Sequence, residues 1–534
     1  MHVVRRRLAT AAGACALAVL MPLLGAVPAR AAAPGPSWST LARCGDFSHS
    51  TATLDAQGFH VTNAFGYRWD QQVLTRAAWQ RPPAGDSVRT LLVYGLSWLV
   101  PVLKQVKDEP DASARLERIV AAVAATPTWR PDNGKPSDPV WNEGVVLRRE
   151  QSLNCLYEVT HDRRLVPVLL SLVRAASDPA RYYGPPRRLP HNHGLMSNLA
   201  LVETARILQR PDIRAFALAR LEAAIRGAFT PSGLSIEQST AYHVDNIMAW
   251  SRAEKVLRDD GSGAAHDTAR TVHAVLARAL VALEHLIGPD GDAVRFGDGT
   301  PPPTTGRRPS TLAFLDRTAG VLTARWAWTS TSDYYAVRFG GPRRMHGHED
   351  RGEVVWSARG LPVLVDPGTA TYSEGAARSW SLSPLSHSAA YVVGGHFVPR
   401  APVALVRWAR TRTADSLTLR GAPYGRTQTR TVLADPVRHA LTLIDSVVSG
   451  RAGQVLQLDP RWRPIAVKAR SLVCIDGAGH HLVVTTTGTV SSVTRGRAGL
   501  DGGWVFHYPP AVRVPAARVL ITGGATVRTV LRVT

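Results

Sequence analysis

Residues 266–287, HDTARTVHAVLARALVALEHLI, and residues 335–339, YAVRF, obey different periodicities. The first repeats apolar side chains every three to four positions, which gathers them on one face of a helix. The second is a short aromatic and β-branched run of the kind that fills a strand. Between them Pro289–Ser310 is rich in Gly and Pro and reads as a linker. Upstream, helical spacing covers Ser87–Val106, Ala112–Ala125, Gly144–Thr160, Leu165–Ala176, His193–Leu208, Ile213–Phe229 and Asp245–Asp259. Thr311–Arg317 reads as a last short helix. Successive helices of similar length joined by short turns predict helical hairpins stacked in an arc or ring. Downstream, Val354–Trp356, Leu361–Val365, Ala390–Val393, Leu441–Val448, His481–Thr487 and Val519–Thr522 are short and often alternating. Helices first and strands second predict two segregated domains, 32–318 and 319–534, the second an antiparallel β-sandwich.

At roughly 100–200 residues per domain, a chain of 534 residues holds two to four domains. Hydrophobic residues make 45% and charged residues 19%, which excludes a disordered protein. The formal net charge is +22, carried almost entirely by arginine. The planar guanidinium grips carboxylate, sulfate or phosphate with two prongs, so an anionic partner is expected. Nucleic acid is not, because no basic run interleaved with aromatics occurs. Arg5, Arg6 and Arg7 precede an apolar run from Leu8 to Val27, and Ala29-Arg30-Ala31 offers small residues for cleavage. Residues 1–31 therefore read as a signal peptide, with the twin-arginine route open; Pro22 and the A-x-A pattern disfavour an uncleaved anchor. No later stretch is long and apolar enough to span a bilayer, so a secreted or extracytoplasmic protein is expected. Cys15 leaves with the signal. Cys44, Cys155 and Cys474 allow one disulfide, and their spacing supports no cysteine metal site. Pairing and oligomeric state stay open.

Four clusters could carry chemistry. His191-Asn192-His193 stands before a helix, where Asn also serves as an ordinary cap. Ser235-Ile-Glu237-Gln-Ser239-Thr-Ala-Tyr242-His243 lies at another loop-to-helix junction, where Tyr242 could simply pack. His346-Gly-His348-Glu-Asp350 leads into the first strands, and alternation puts both imidazoles on one face, suited to a metal or an anion. Val365-Asp366-Pro-Gly-Thr369 is followed by Ser386-His387-Ser388. His348, Asp366 and His387 make a chemically sensible zinc set, although Asp before Pro-Gly is also common for local reasons.

Taken in order, these residues resemble the heparinase II/III-like polysaccharide lyases. The matching features are Asn192-His193-Gly194, Glu237-x-Ser239-x-x-Tyr242-His243, Pro289-Asp290-Gly291 with Gly297-Asp298, His346-x-His348-x-Asp350, Asp366-Pro-Gly-Thr369-x-x-Tyr372 and Ser386-His387. Two positions differ from the pattern: Met196 where some members carry Glu, and Ser388 where Asn is frequent. The resemblance implies an incomplete (α/α) toroid over 32–318 followed by a β-sandwich over 319–534. It implies a carbon–oxygen lyase that degrades an acidic, uronic-acid-containing polysaccharide by β-elimination.

That chemistry removes the C5 proton beside a carboxylate and expels the C4 glycosidic oxygen. It needs charge stabilisation at the carboxylate, a base at C5 and an acid at the leaving oxygen. By resemblance Asn192 would hold the carboxylate, His193 and Tyr242 would share the base and acid roles, and His346 would close the site from the sandwich. Arg148, Glu237, His243 and Tyr372 would line the substrate. A tyrosine base needs its phenol lowered by nearby positive charge, or a histidine to pass the proton to; Arg148, Arg149 and His243 are the candidates. His348, Asp366 and His387 would hold a structural zinc ion. The alternatives are a glycoside hydrolase on a helical toroid, which needs a carboxylate pair from Glu143, Glu237 or Asp245, and a non-catalytic protein that binds acidic glycans.

Overall fold

The structure, a computed structural model, describes residues 36–44, 51–54, 59–64, 67–72, 79, 87–129, 137–302, 309–508 and 511–534. The signal peptide expected over residues 1–31 lies outside them. Glu143–Thr160, Asn192–Ile207 and Thr240–Asp260 lie side by side, and Val166–Ser177, Pro211–Ala228 and Gly263–Leu286 pack behind and between them as a second layer. Local sequence sets the ends. Asn142, Ser239 and Ser262 each accept a backbone N–H of the first turn, and Gly261 takes φ +77° to stop the helix before it. The apolar stripes merge into one core that includes Leu153, Leu201, Leu221, Ala253 and Ala269, all with no exposed surface. A Cys44–Cys155 disulfide ties the turn Trp38–Arg43 to the helix Glu143–Thr160, and Cys474 is free and buried. Thr51–Leu54, Phe59–Ala64 and Tyr67–Gln72 form a three-stranded antiparallel sheet that sequence periodicity did not reveal.

Thr311–Arg317 is not a helix. Ala313–Asp316 is a strand paired antiparallel with Val321–Arg325. Asp316 accepts the Ala319 N–H at 2.8 Å, and Gly320 at φ +71° completes the hairpin, where a Cβ would strike the Phe339 carbonyl. Seven residues are too few for apolar spacing to separate helix from strand.

The strand-rich part is antiparallel throughout its described pairings. A five-stranded sheet runs Ala313–Asp316, Val321–Arg325, Tyr334–Arg338, Val354–Ala358, Leu361–Leu364 in spatial order. Eight- and four-stranded sheets complete the sandwich. The five-stranded sheet is buried on both faces, and the two-residue period sorts its side chains. Leu322, Ala324, Tyr335, Val337, Val354 and Trp356 enter the sandwich core. Their neighbours Val321, Tyr334, Ala336 and Val355 face the helices and pack with Leu234, Ala282, Leu286, Val294 and Phe296. This second core welds sandwich to helices.

Glu150 is a marker of burial in the helical layer. It has no exposed surface, one oxygen accepts the Thr204 hydroxyl at 2.8 Å, and the other has no hydrogen-bond partner. Burial pushes its carboxyl up to about 8. The unfolded chain releases that proton near pH ~4.3, so from there to about pH 8 the folded state holds the extra proton and loses stability as pH rises. Glu150→Gln is expected to flatten this slope and to gain a few kcal/mol at pH 8, read as denaturant midpoints at pH 5 and pH 8. Equal slopes in both proteins would show that Glu150 ionises freely.

Candidate active site

Two helix starts and one sandwich loop build the site. Ser239 caps the helix Thr240–Asp260 by accepting the Tyr242 N–H at 3.2 Å, and its own hydroxyl donates to the Asp298 carbonyl at 2.6 Å. The His346 N–H donates to the Glu237 carbonyl at 3.2 Å, and the Asp298 N–H donates to the His346 carbonyl at 2.8 Å. These backbone bonds lay the His346 imidazole flat on the Tyr242 ring, with centroids 3.4 Å apart and planes 6° from parallel. Gly297 makes the approach possible. At φ +71° its Cβ would stand 2.5 Å from the Gln238 carbonyl oxygen and 2.6 Å from that of His346. Gly297→Ala should therefore displace His346 and lower kcat by about 100-fold with a folded protein, since a misplacement near 1 Å costs that much. Unchanged turnover with an unchanged melting curve would contradict it.

Asp298 is the hub. Its carboxylate accepts from His346 Nδ1 at 3.2 Å, His348 Nε2 at 2.9 Å and the Thr369 hydroxyl at 3.4 Å. Arg378 grips both oxygens with two nitrogens. Burial opposes the charge, but the hydrogen bonds from His346, His348 and Arg378 outweigh it and hold Asp298 far below the usual carboxylate range. Glu237 sits 3.8 Å from the other imidazole nitrogen of His346 and is 4% exposed; burial raises its carboxyl. It supports His346 from beneath rather than facing an open cleft.

The helix Asn192–Ile207 supplies the second half. His191, not Asn192, is the cap, its Nδ1 accepting the His193 N–H at 3.1 Å. The Asn192 amide is thereby released: its oxygen is buried with no hydrogen-bond partner. An amide can turn either its donor or its acceptor end to a ligand. His193 Nδ1 lies 2.9 Å from Glu143 Oε1. With that carboxylate as acceptor, Nδ1 carries the proton and Nε2 offers its lone pair. Burial, and next the charge of His193, hold His191 down at about 4, and His346 adds to this effect from the opposite side.

The Tyr242 phenol differs from expectation. Burial raises it, with Asp298, Asp245 and Glu237 adding to the rise and a hydrogen bond with Tyr372 partly offsetting it. The cation Arg378 interacts with it electrostatically but is not among its largest influences. Tyr372 is 36% exposed and stands edge-on to Tyr508. Three expected helpers lie elsewhere. His243 is 1% exposed, and its ring nitrogens meet the Ser235 N–H at 3.2 Å and the Ala279 carbonyl at 3.1 Å, so it does not line substrate. Arg149 is sandwiched between Trp79 and Trp141 and donates to the Tyr94 and Val140 carbonyls. Arg148 donates to the Gly144 carbonyl, and burial lowers its guanidinium while Glu143 opposes that; it borders the His193 side, not Tyr242. Arg378 carries no signal in the sequence; Asp298 is marked only by its place after Gly297 in the family pattern, and Glu143 only as a carboxylate of the hydrolase alternative.

Beneath His346, ligand atoms of His348, Asp366 and His387 lie within 4.8 Å of one another. His348 bonds Asp298 through Nε2 and His387 meets the Ser381 carbonyl through Nε2 at 3.2 Å, so both Nδ1 atoms turn inward. Those two nitrogens and Asp366 Oδ2 are buried without hydrogen-bond partners. Imidazoles fixed by outer acceptors and orphaned donors at mutual ligand distance fit a small divalent cation such as zinc.

No protein-family model matches the chain, and no curated protein matches it in sequence. Solved structures share its fold. Heparan sulfate lyase HepC from Pedobacter heparinus is 16% identical and aligns over 93% of this chain and 82% of its own with TM-score 0.63. A heparinase III is 14% identical over 88% of this chain and 80% of its own, TM-score 0.65. The heparinase III product of BT4657 is 13% identical over 85% and 80%, TM-score 0.66. The architecture is thus the expected incomplete (α/α) toroid followed by an antiparallel β-sandwich. Among the described residues no helix is long and apolar enough to cross a membrane.

Proposed function

We propose that the protein is an exported polysaccharide lyase that cleaves an acidic, uronic-acid-containing polysaccharide by β-elimination. The observation that carries this reading is the stack of Tyr242, from the helices, on His346, from the sandwich. Asn192, whose amide oxygen is held by no hydrogen bond, would turn its N–H₂ to the uronate carboxylate, whose charge grows as the C5 proton leaves. His193, backed by Glu143, takes that proton at Nε2; the electron pair forms the C4–C5 double bond and the C4–O bond breaks. Tyr242, kept protonated by burial, hands its proton to the departing oxygen and is recharged from solvent through Tyr372. His346, oriented by Asp298, covers the opposite face and steadies the phenolate. The arginine-rich surface and the fold shared with heparan-degrading lyases support an anionic polymer. A structural zinc held by His348, Asp366 and His387 would brace the loop carrying His346.

The test is a panel of uronate polymers. Products with the ultraviolet absorbance of a C4–C5 double bond conjugated to a carboxylate are expected. New reducing ends without that chromophore would mean hydrolysis, and binding without turnover would mean a glycan-binding protein. The first is the predicted result; either of the others overturns it.

A further inference from the structure

Residues 181–190 lead into the helix that carries Asn192 and His193, and their backbone rests on its first turn. A Cβ on Gly194 would stand 1.9 Å from the Tyr183 carbonyl oxygen. The segment is anchored from within: Arg181 donates to the Trp141 carbonyl at 2.8 Å, and the Tyr182 hydroxyl accepts from the Asn198 amide at 3.0 Å. The Tyr183 ring meets the histidines, 5.7 Å from His191 and 6.3 Å from His193 between ring centres. The Arg188 guanidinium lies over that same tyrosine ring, 4.0 Å from its centre. A stacked guanidinium uses its flat face and keeps its N–H edge, so the charge is held in position with its donors unspent. Arg188 is exposed, and its side chain makes no hydrogen bond or ion pair among the described residues.

The other arginines near His193 are placed differently. Arg148 is half-buried on the Gly144 carbonyl, Arg181 is buried against Asp178, and Arg187 is exposed with no ring beneath it among the described residues. Glu143 holds His193 with a carboxylate, and that charge repels an incoming polyanion unless a cation at the same edge offsets it. Resting on the lyase reading above, we infer that Arg188 binds substrate: it grips the carboxylate or sulfate of the sugar next to the one whose carboxylate Asn192 holds. Both anions present the paired oxygens that a guanidinium fork takes with two N–H bonds. The tyrosine beneath sets the fork in advance, so little side-chain freedom is lost on binding. Arg188 thereby favours polymers whose neighbouring sugars are both charged over those that alternate acidic and neutral sugars.

Calorimetric binding of three hexasaccharides to the full chain, each paired with initial rates, tests this. Heparan sulfate offers a sulfate on the neighbouring sugar, alginate a carboxylate, and hyaluronan neither. Whichever of the first two wild type binds, Arg188→Ala should raise its Kd and KM about 10-fold or more and leave kcat near wild type. The probe that suffers tells sulfate from carboxylate. Arg187→Ala removes the same charge one residue away and should move neither constant by more than about 3-fold. Equal losses in both variants would reduce Arg188 to general surface charge and overturn the inference. Unchanged Kd and KM in Arg188→Ala, or a wild type that binds only hyaluronan, overturns it as well. Wild type that binds but never cleaves, with Arg188→Ala binding more weakly, keeps the site and overturns the lyase reading. Wild type that binds none of the three overturns both.

Discussion

Tyr242→Phe is expected to lower kcat by about 10²–10⁴-fold while leaving KM and the melting temperature close to wild type. The phenylalanine ring preserves the stack on His346, so packing and the position of the imidazole survive. Only the hydroxyl and its hydrogen bond with Tyr372 disappear. Because burial raises the phenol, Tyr242 is protonated at neutral pH and, in the mechanism proposed, would enter the reaction as the acid. Losing it leaves the C4 oxygen to depart as an alkoxide. Tyr372→Phe removes the relay but not the donor, and should cost less, about 10-fold. Initial rates and polymer affinity, measured with circular dichroism melts, separate these effects. A Tyr242→Phe protein with wild-type turnover would remove the residue from the chemistry.

Asp298→Asn is expected to damage both stability and turnover. The carboxylate is 1% exposed and serves His346, His348, Thr369 and Arg378 at once. Asparagine keeps the shape but turns an N–H₂ toward one of these donors and leaves the Arg378 guanidinium without its counter-charge. Removing one partner of a buried ion pair costs about 3–5 kcal/mol. With His346 no longer held, kcat should fall at least about 100-fold. The pH dependence has a definite sign. Asp298 is depressed in the folded state, so its contribution is complete above the unfolded carboxyl pKa of about 3.9 and fades as pH falls below it. Denaturant midpoints should therefore differ most at pH 7 and converge in acid. A variant as stable as wild type at pH 7 would contradict the hub.

The sequence shows the residues that bear chemistry more readily than those that aim them. Helical and strand periods told helices from strands because Gly263–Leu286 is long and the sandwich strands are β-branched, although a division at 318/319 cuts the hairpin of Ala313–Asp316 with Val321–Arg325. The short hairpin strand Ala313–Asp316 escaped because its apolar pair fits either period. Tyr242 and His243 are neighbours in sequence, yet successive helical residues point about 100° apart. Tyr242 thus turns to the cleft while His243 turns to Ala279 on the next helix. Arg378 binds a carboxylate 80 positions away, and Asp298 orients an imidazole 48 positions away. Such pairings exist only once the five-stranded sheet has docked on the helices, so no local pattern announces them.

Helices and sandwich are proposed to close on one sugar acid between Asn192, His193, Tyr242 and His346. A crystal structure of Tyr242→Phe soaked with a uronate oligosaccharide tests it most directly. The expected density shows one uronate carboxylate on the Asn192 amide, C5 facing His193 Nε2 and the glycosidic oxygen beside the phenyl ring that replaces the phenol. A sugar bound elsewhere, with that cleft filled only by water, would contradict it.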